Sequence, residues 1–183
     1  ALPRDPAAAL KWLTYAAELG NQFAQYRLGK LLLKGDDGIP KDVITAIRWL
    51  TAAAKQENGY AEYALALVYL TGEDAPKDSV KALSLLKRSA GRGNQFAQYR
   101  LGKLLLQGED APKDVKAAIR WLTAAAEQGN QYAQYALGKL YLLGKEVPKD
   151  RSSAIKWFQL AADQGNEYAQ YFLKHMDDRL GQP

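Results

Sequence analysis

The residues GNQFAQYRLGKLLL at 20–33 recur letter for letter at 93–106, and close variants begin at 57, 129 and 165. Self-similarity at a fixed spacing restricts a chain to stacked repeats, each of which is too small to bury its own apolar face. A Pro-basic-Asp tripeptide starts at Pro3, Pro40, Pro76, Pro112 and Pro148, with separations of 37, 36, 36 and 36 residues. An asparagine follows each proline by 18 residues, at Asn21, Asn58, Asn94, Asn130 and Asn166. The single extra residue therefore falls in the first loop, where GDDGIP replaces GEDAP.

Each period divides into two helical segments. From the asparagine, the text NQYAQYALGKLYLLG places apolar residues at Tyr132, Tyr135, Ala136, Leu137, Leu140 and Tyr141, the three-and-four spacing of a helix with one wide buried face. From the proline, PKDVKAAIRWLTAAAEQG does the same with Val115, Ala118, Ile119, Trp121, Leu122 and Ala125. We name these the A and B helices. Asp42, Asp78, Asp114 and Asp150 stand where a carboxylate would cap a B helix. Gly20, Gly93, Gly129 and Gly165 stand where a left-handed residue would end one. Gly29, Ala66, Gly102 and Gly138 share one A-helix position, and Ala46, Ala82, Ala118 and Ala154 share one B-helix position. Side chains this small let two helix backbones approach closely.

These signals predict an all-α solenoid over 1–183, about five antiparallel helix pairs with a 36-residue period. Its expected parts are a leading half-repeat (6–19), full repeats (21–57, 58–93, 94–129 and 130–165) and a C-terminal capping helix (166–183). Lys174 replaces the close-contact glycine in that last segment, as befits a helix with no B helix after it. The second repeat departs most, with Leu85 where the others have tryptophan and Ser89 where they have alanine, and either looser packing or a site that serves something specific is expected there.

The chain of 183 residues is 48% hydrophobic and 25% charged, enough for a substantial core. It contains no cysteine, which excludes disulfide frameworks, thiolate metal sites and cysteine nucleophiles. No apolar run approaches the roughly 20 residues that span a bilayer, so a cytoplasmic protein without membrane contact is expected. The opening ALPRDP lies inside a repeat and suggests a piece of a longer protein.

The combination A-Q-Y-x-L-G at 24–29, 97–102 and 133–138, followed by P-K-D and A-I-x-W, resembles the Sel1-like repeat, a relative of the tetratricopeptide repeats. The resemblance covers essentially the whole chain. It implies a right-handed α-solenoid whose A helices line a concave surface, used mainly as an adaptor or scaffold in multiprotein assembly. Some members of that family carry cysteines in each repeat, so their disulfide-stapled secreted branch is not expected here. The stretch AAEQGNQYAQYALGKLYLLG is also similar to repeat tracts appended to relaxases of bacterial mobile elements.

Carried onto this chain, the concave positions are Phe23, Tyr26, Lys30 and Leu33 in the first A helix. Their equivalents include Tyr60, Tyr63, Leu67 and Leu70; Phe96, Tyr99, Lys103 and Leu106; Tyr132, Tyr135, Lys139 and Leu142; and Tyr168, Tyr171 and His175. With Arg27 and Arg100 added, the partner-binding candidates are Tyr26, Arg27, Lys30, Tyr63, Tyr99, Arg100, Lys103, Tyr135, Lys139 and Tyr171. Tyrosine combines apolar area with a polar tip at low entropic cost, which suits a peptide groove; the same rings could equally serve to wedge adjacent repeats apart. The first four A helices together carry a net charge equal to the +5 of the whole chain. An acidic peptide or protein is the expected partner, with a nucleic-acid backbone as the alternative.

Catalysis has little to stand on. His175 is the sole histidine, too few for a histidine metal triad. The carboxylates of GEDAPKD at 72–78 and 108–114 lack the alternation of a calcium loop, and Gly91–Gly93 follows a helix rather than a strand, so it is no dinucleotide fingerprint. A non-enzyme without cofactor is the reading. The first B helix, expected at 6–19, would lack the A helix it normally packs against, so weak self-association through the N-terminal end is also expected.

Overall fold

The computed structural model describes residues 6–35 and 38–178, with side chains for 7–35 and 38–175. The first tripeptide at 3–5, Asp36 and Asp37 of the longer loop, and 179–183 of the capping segment lie outside the described residues.

Among the described residues there are ten helices and no strand: α1 (Pro6–Glu18), α2 (Gln22–Lys34), α3 (Val43–Lys55), α4 (Gly59–Thr71), α5 (Ser79–Gly91), α6 (Gln95–Gln107), α7 (Val115–Glu127), α8 (Gln131–Leu143), α9 (Arg151–Asp163) and α10 (Glu167–Asp178). Even-numbered helices are the A helices and odd-numbered ones the B helices. The chain divides into two compact units, Ala1–Asn94 and Gln95–Pro183. In the first, α2 packs most closely on α3 and α4 on α5; in the second, α6 packs on α7 and α8 on α9. Within each unit the pairs stack through the next A helix in line, α3 on α4 and α7 on α8. This is the all-α solenoid plan.

Glycine sets the tightness of each A–B pair. A Cβ on Gly29 would lie 2.6 Å from Leu50 Cγ and 3.1 Å from the Ala46 carbonyl oxygen, and one on Gly102 would lie 2.7 Å from Leu122 Cγ and 3.1 Å from the Ala118 oxygen. On Gly138 it would meet Phe158 Cδ1 at 2.6 Å. The four small B-helix residues opposite, Ala46, Ala82, Ala118 and Ala154, are completely buried.

Loop chemistry fixes the rest. The Asp42, Asp78, Asp114 and Asp150 carboxylates accept from the N–H groups of Thr45, Lys81, Ala117 and Ser153 at 2.9–3.0 Å. Hydrogen bonds from Thr45 and Ser153 hold Asp42 and Asp150 below the usual carboxylate pKa. The aspartates' own N–H groups donate back to carbonyls in the preceding A helix, as Asp42 does to Leu32 (2.9 Å) and Asp150 to Tyr141 (3.0 Å). Each aspartate thus starts one helix and ties down the end of another. The predicted glycine stops have φ between +87° and +90°. In the second repeat that place is taken by Glu57, at φ +66°.

A buried amide links the repeats. In the first unit Gln25 Nε2 donates to the Ala17 carbonyl (3.1 Å) while Gln25 Oε1 accepts from Gln56 Nε2 (2.9 Å). In the second unit Gln134 donates to Ala126 (3.0 Å) and accepts from Gln164 (2.8 Å), and Gln98 accepts from Gln128 (2.7 Å).

The second repeat replaces both partners of this link. Glu62, fully buried, stands for the inner glutamine and Arg92 for the outer one, with Nε–Oε2 at 3.2 Å. Arg88 Nη2 lies 2.7 Å from Glu62 Oε1 while donating to the Ala54 carbonyl (3.2 Å), so charge rather than an aligned hydrogen bond holds that oxygen. Arg92 also pairs with Glu57 (3.0 Å), pinning the one non-glycine residue of positive φ among the described residues. Ser89 Oγ donates to the Gly59 carbonyl (2.6 Å), and Leu85 is buried. The expected loosening is absent: this repeat is held by different chemistry.

Two outcomes follow from this packing. Gly102→Val should destabilise the fold by about 1–3 kcal/mol through overpacking, whereas Gly91→Ala, whose new Cβ meets nothing within 4 Å, should stabilise it by about 0.5–1 kcal/mol; urea unfolding followed by helical circular dichroism reads both. Arg88→Ala with Arg92→Ala strands a buried carboxylate and should cost about 3–5 kcal/mol. Glu62→Gln with Arg92→Gln, which installs the pair used by the other repeats, should stay within about 1 kcal/mol of wild type. Equal losses in the two double variants would refute the exchange.

Candidate partner-binding face

On an A helix, the tyrosine and the lysine four residues later share a face. In the first unit Lys30 Nζ sits 5.9 Å from the centre of the Tyr26 ring. In the second, Lys103 lies 5.8 Å from Tyr99 and Lys139 5.8 Å from Tyr135. The same tyrosines meet the first aromatic residue of the next A helix: Tyr26 and Tyr60 at 5.8 Å, Tyr99 and Tyr132 at 6.0 Å, Tyr135 and Tyr168 at 5.9 Å. These rings therefore act as wedges between repeats, yet Tyr60, Tyr132 and Tyr168 remain exposed, as do Phe23 and Phe96. Burial, and then the neighbouring Tyr168 phenol, raises the Tyr135 pKa above the ordinary tyrosine value.

The structure brings some candidates together and leaves others apart. Arg27 is exposed on α2, and Arg100 is half-buried on α6. Tyr63 is half-buried on α4, where Leu67 takes the lysine position. Tyr171 is exposed and stacks on His175, with ring centres 4.0 Å apart, and His175 Nδ1 lies 2.8 Å from the Tyr171 carbonyl oxygen. Cations also sit over rings on B helices: Arg48 at Trp49 (5.3 Å), Arg120 at Trp121 (5.1 Å) and Lys156 at Trp157 (5.6 Å). Sequence reasoning had not singled these out, although each pair is adjacent in the chain.

The second unit contains a cavity of about 340 Å³ between α6 and α8. Helix α6 contributes Tyr99, Lys103 and Leu106, and α7 contributes Leu122 from below. Helix α8 provides Tyr132, Tyr135, Ala136, Lys139, Leu140 and Leu143, and the loop after it adds Lys145 and Glu146. Lys113 Nζ binds Glu146 Oε1 at 2.8 Å. Four of the partner-binding candidates thus converge, Tyr99, Lys103, Tyr135 and Lys139, together with the predicted concave positions Leu106 and Tyr132. Ala136, Leu143 and Lys145 had not been predicted.

Ala136 explains the space. One repeat later its place is taken by Phe172, whose ring stacks on Phe158 (5.3 Å, 4° between planes) and contacts Tyr135 (6.1 Å). Phe158 in turn replaces Leu122. Two aromatic rings fill between α8 and α10 what a leucine and an alanine leave open between α6 and α8. The signal in the sequence was the small residue after the second tyrosine, Tyr135-Ala136 against Tyr171-Phe172.

At the N-terminal end, Trp12 and Tyr15 of α1 and Leu19 just after it are exposed. Among the described residues no helix is long and apolar enough to cross a membrane.

Comparison with known proteins gives consistent likenesses. The Sel1 repeat profile matches five consecutive segments, 1–21, 22–58, 59–94, 95–130 and 131–166. A protective antigen of uropathogenic Escherichia coli that displays an SLR fold is 35% identical over 93% of this chain, with a TM-score of 0.88. A Sel1 repeat protein from Oxalobacter formigenes is 36% identical over 95% of this chain, with a TM-score of 0.86. This chain spans 36% and 50% of the length of those two structures. An immunity protein from Pseudomonas aeruginosa, 24% identical over 90% of this chain and 60% of its own, with a TM-score of 0.62, shares the fold. No curated protein matches the sequence.

Proposed function

The chain belongs to the Sel1 repeat family, and on that premise we infer that it is a non-catalytic scaffold holding an acidic peptide or protein segment on its A-helix face. Sel1 repeat proteins are generally protein-interaction scaffolds, and their fold is typically non-enzymatic. The observation that carries the finer reading is the lysine held over a tyrosine ring in α2, α6 and α8. Each pair presents an apolar surface and a positive charge within one turn of helix. A cation over an exposed ring is worth only about 0.5–1 kcal/mol, so the lysine stays available for a carboxylate of a partner. In the second unit an extended acidic segment would meet two such pairs in succession, on α6 and α8.

Tyr99→Ala with Lys103→Ala should abolish capture of an acidic peptide probe while leaving helicity unchanged by circular dichroism; capture that persists would sink the assignment. The same rings and cations would also suit single-stranded nucleic acid. Binding of a random oligonucleotide whose logarithmic affinity falls with salt by about −0.7 per phosphate, without binding of acidic peptides, would replace the peptide reading.

The exposed face of α1 supports weak self-association. Light scattering over a range of concentrations should show a rising apparent mass that Trp12→Ser with Leu19→Ser suppresses; a species that stays monomeric throughout would remove it.

A further inference from the structure

We propose that the cavity between α6 and α8 holds one large apolar side chain of an acidic peptide, and that the equivalent place between α2 and α4 does not. This rests on the peptide-scaffold reading and adds a location and a specificity to it. The cavity of about 340 Å³ has room for a single tryptophan, phenylalanine or leucine side chain. Its floor is apolar, from Leu106, Leu122 and Leu140. Its rim carries Lys103, Lys139 and Lys145, against one carboxylate, Glu146, that Lys113 already pairs at 2.8 Å. A buried apolar anchor ringed by cations is complementary to an apolar residue flanked by carboxylates.

The first unit supplies an internal contrast. The repeat spacing aligns Lys103 with Lys30, Lys139 with Leu67, Leu143 with Thr71, Lys145 with Glu73 and Glu146 with Asp74. Asp74 is paired by Lys41 at 2.5 Å, as Glu146 is by Lys113. With that conserved pair set aside, the second unit is left with three cations and the first with one lysine and one glutamate. Both units carry the small alanine, Ala64 and Ala136. The differences between them are therefore in charge, in the rim residue Leu143 and in the floor residue Leu140, which aligns with Val68.

The test uses the whole chain and a fluorescent peptide with one tryptophan between paired glutamates, read by anisotropy. Ala136→Phe, which copies the residue the next A helix carries as Phe172, should fill the cavity and weaken binding about tenfold or more. Lys139→Leu with Lys145→Glu, which copies the first unit's charges without entering the cavity floor, should weaken it to a similar degree. Replacing the peptide's tryptophan by glycine, or its glutamates by lysines, should abolish binding. Leu67→Lys with Thr71→Leu and Glu73→Lys should add a second binding equivalent. Affinity unchanged in both second-unit variants overturns the proposal. If binding is then lost in Tyr26→Ala with Lys30→Ala, the scaffold reading survives without the cavity. If the acidic peptide does not bind the wild-type chain at all, the cavity assignment falls with the reading it rests on.

Discussion

The closeness of each A helix to the B helix that follows it governs the rest of the structure. At Gly29, Gly102 and Gly138 there is no room for a Cβ, so the backbones of a pair approach until a leucine or phenylalanine side chain lies directly on the glycine. A contact that tight leaves one rotational setting for the A helix. That setting fixes the direction of the adjoining face, which carries the tyrosine three residues before the glycine and the lysine one residue after it. A bulkier residue at the contact would push the pair apart and turn that face. The display of potential binding groups is thus a consequence of packing at the adjoining contact of the same helix.

Stacking of pairs depends on a second, polar device. A helical repeat that buries its ends must satisfy the carbonyls at each B-helix terminus. In α2 and α8 a glutamine does so, donating to the terminus of the B helix before it and accepting from the glutamine that caps the B helix after it. Glu62 and Arg92 show that the geometry of the link, rather than its chemistry, is what the architecture requires. The charged version costs more to bury but is stronger once paired, and its arginines reach solvent with half or a third of their side chains exposed. That partial exposure makes a fully buried carboxylate tolerable.

Much of this was legible in the sequence, for an identifiable reason. Regular spacing exposed the helix boundaries, the aspartate caps, the glycine stops and the close-contact positions, because each is a local requirement repeated in every period. Pairings between residues some 30 positions apart were less accessible. Nothing in the letters E at 62 and R at 92 announces that they replace a glutamine pair until the other repeats show what occupies those places. The expectation of looser packing at the second repeat failed for that reason: Leu85 and Ser89 stood out from the pattern, while the compensating pair at 62 and 92 was not read with them. At the candidate face, the tyrosine and lysine positions were readable, while the cavity was not, since it is defined by side chains from three helices and a loop.

The cavity also shows how a repetitive scaffold acquires a distinct site. Where α8 faces α10, Phe158 and Phe172 stack and close the space; where α6 faces α8, Leu122 and Ala136 leave it open. Leu122 and Phe158 are also the side chains that lie on Gly102 and Gly138, so one residue both closes the A–B pair and shapes the space beside it. Ala136, Lys139 and Lys145, by contrast, border that space without being among the atoms nearest the glycine contact. Substitutions at Ala136, Lys139 or Lys145 can alter what the face accommodates at little cost to the fold, whereas substitutions at Gly138, one turn away at most, cannot.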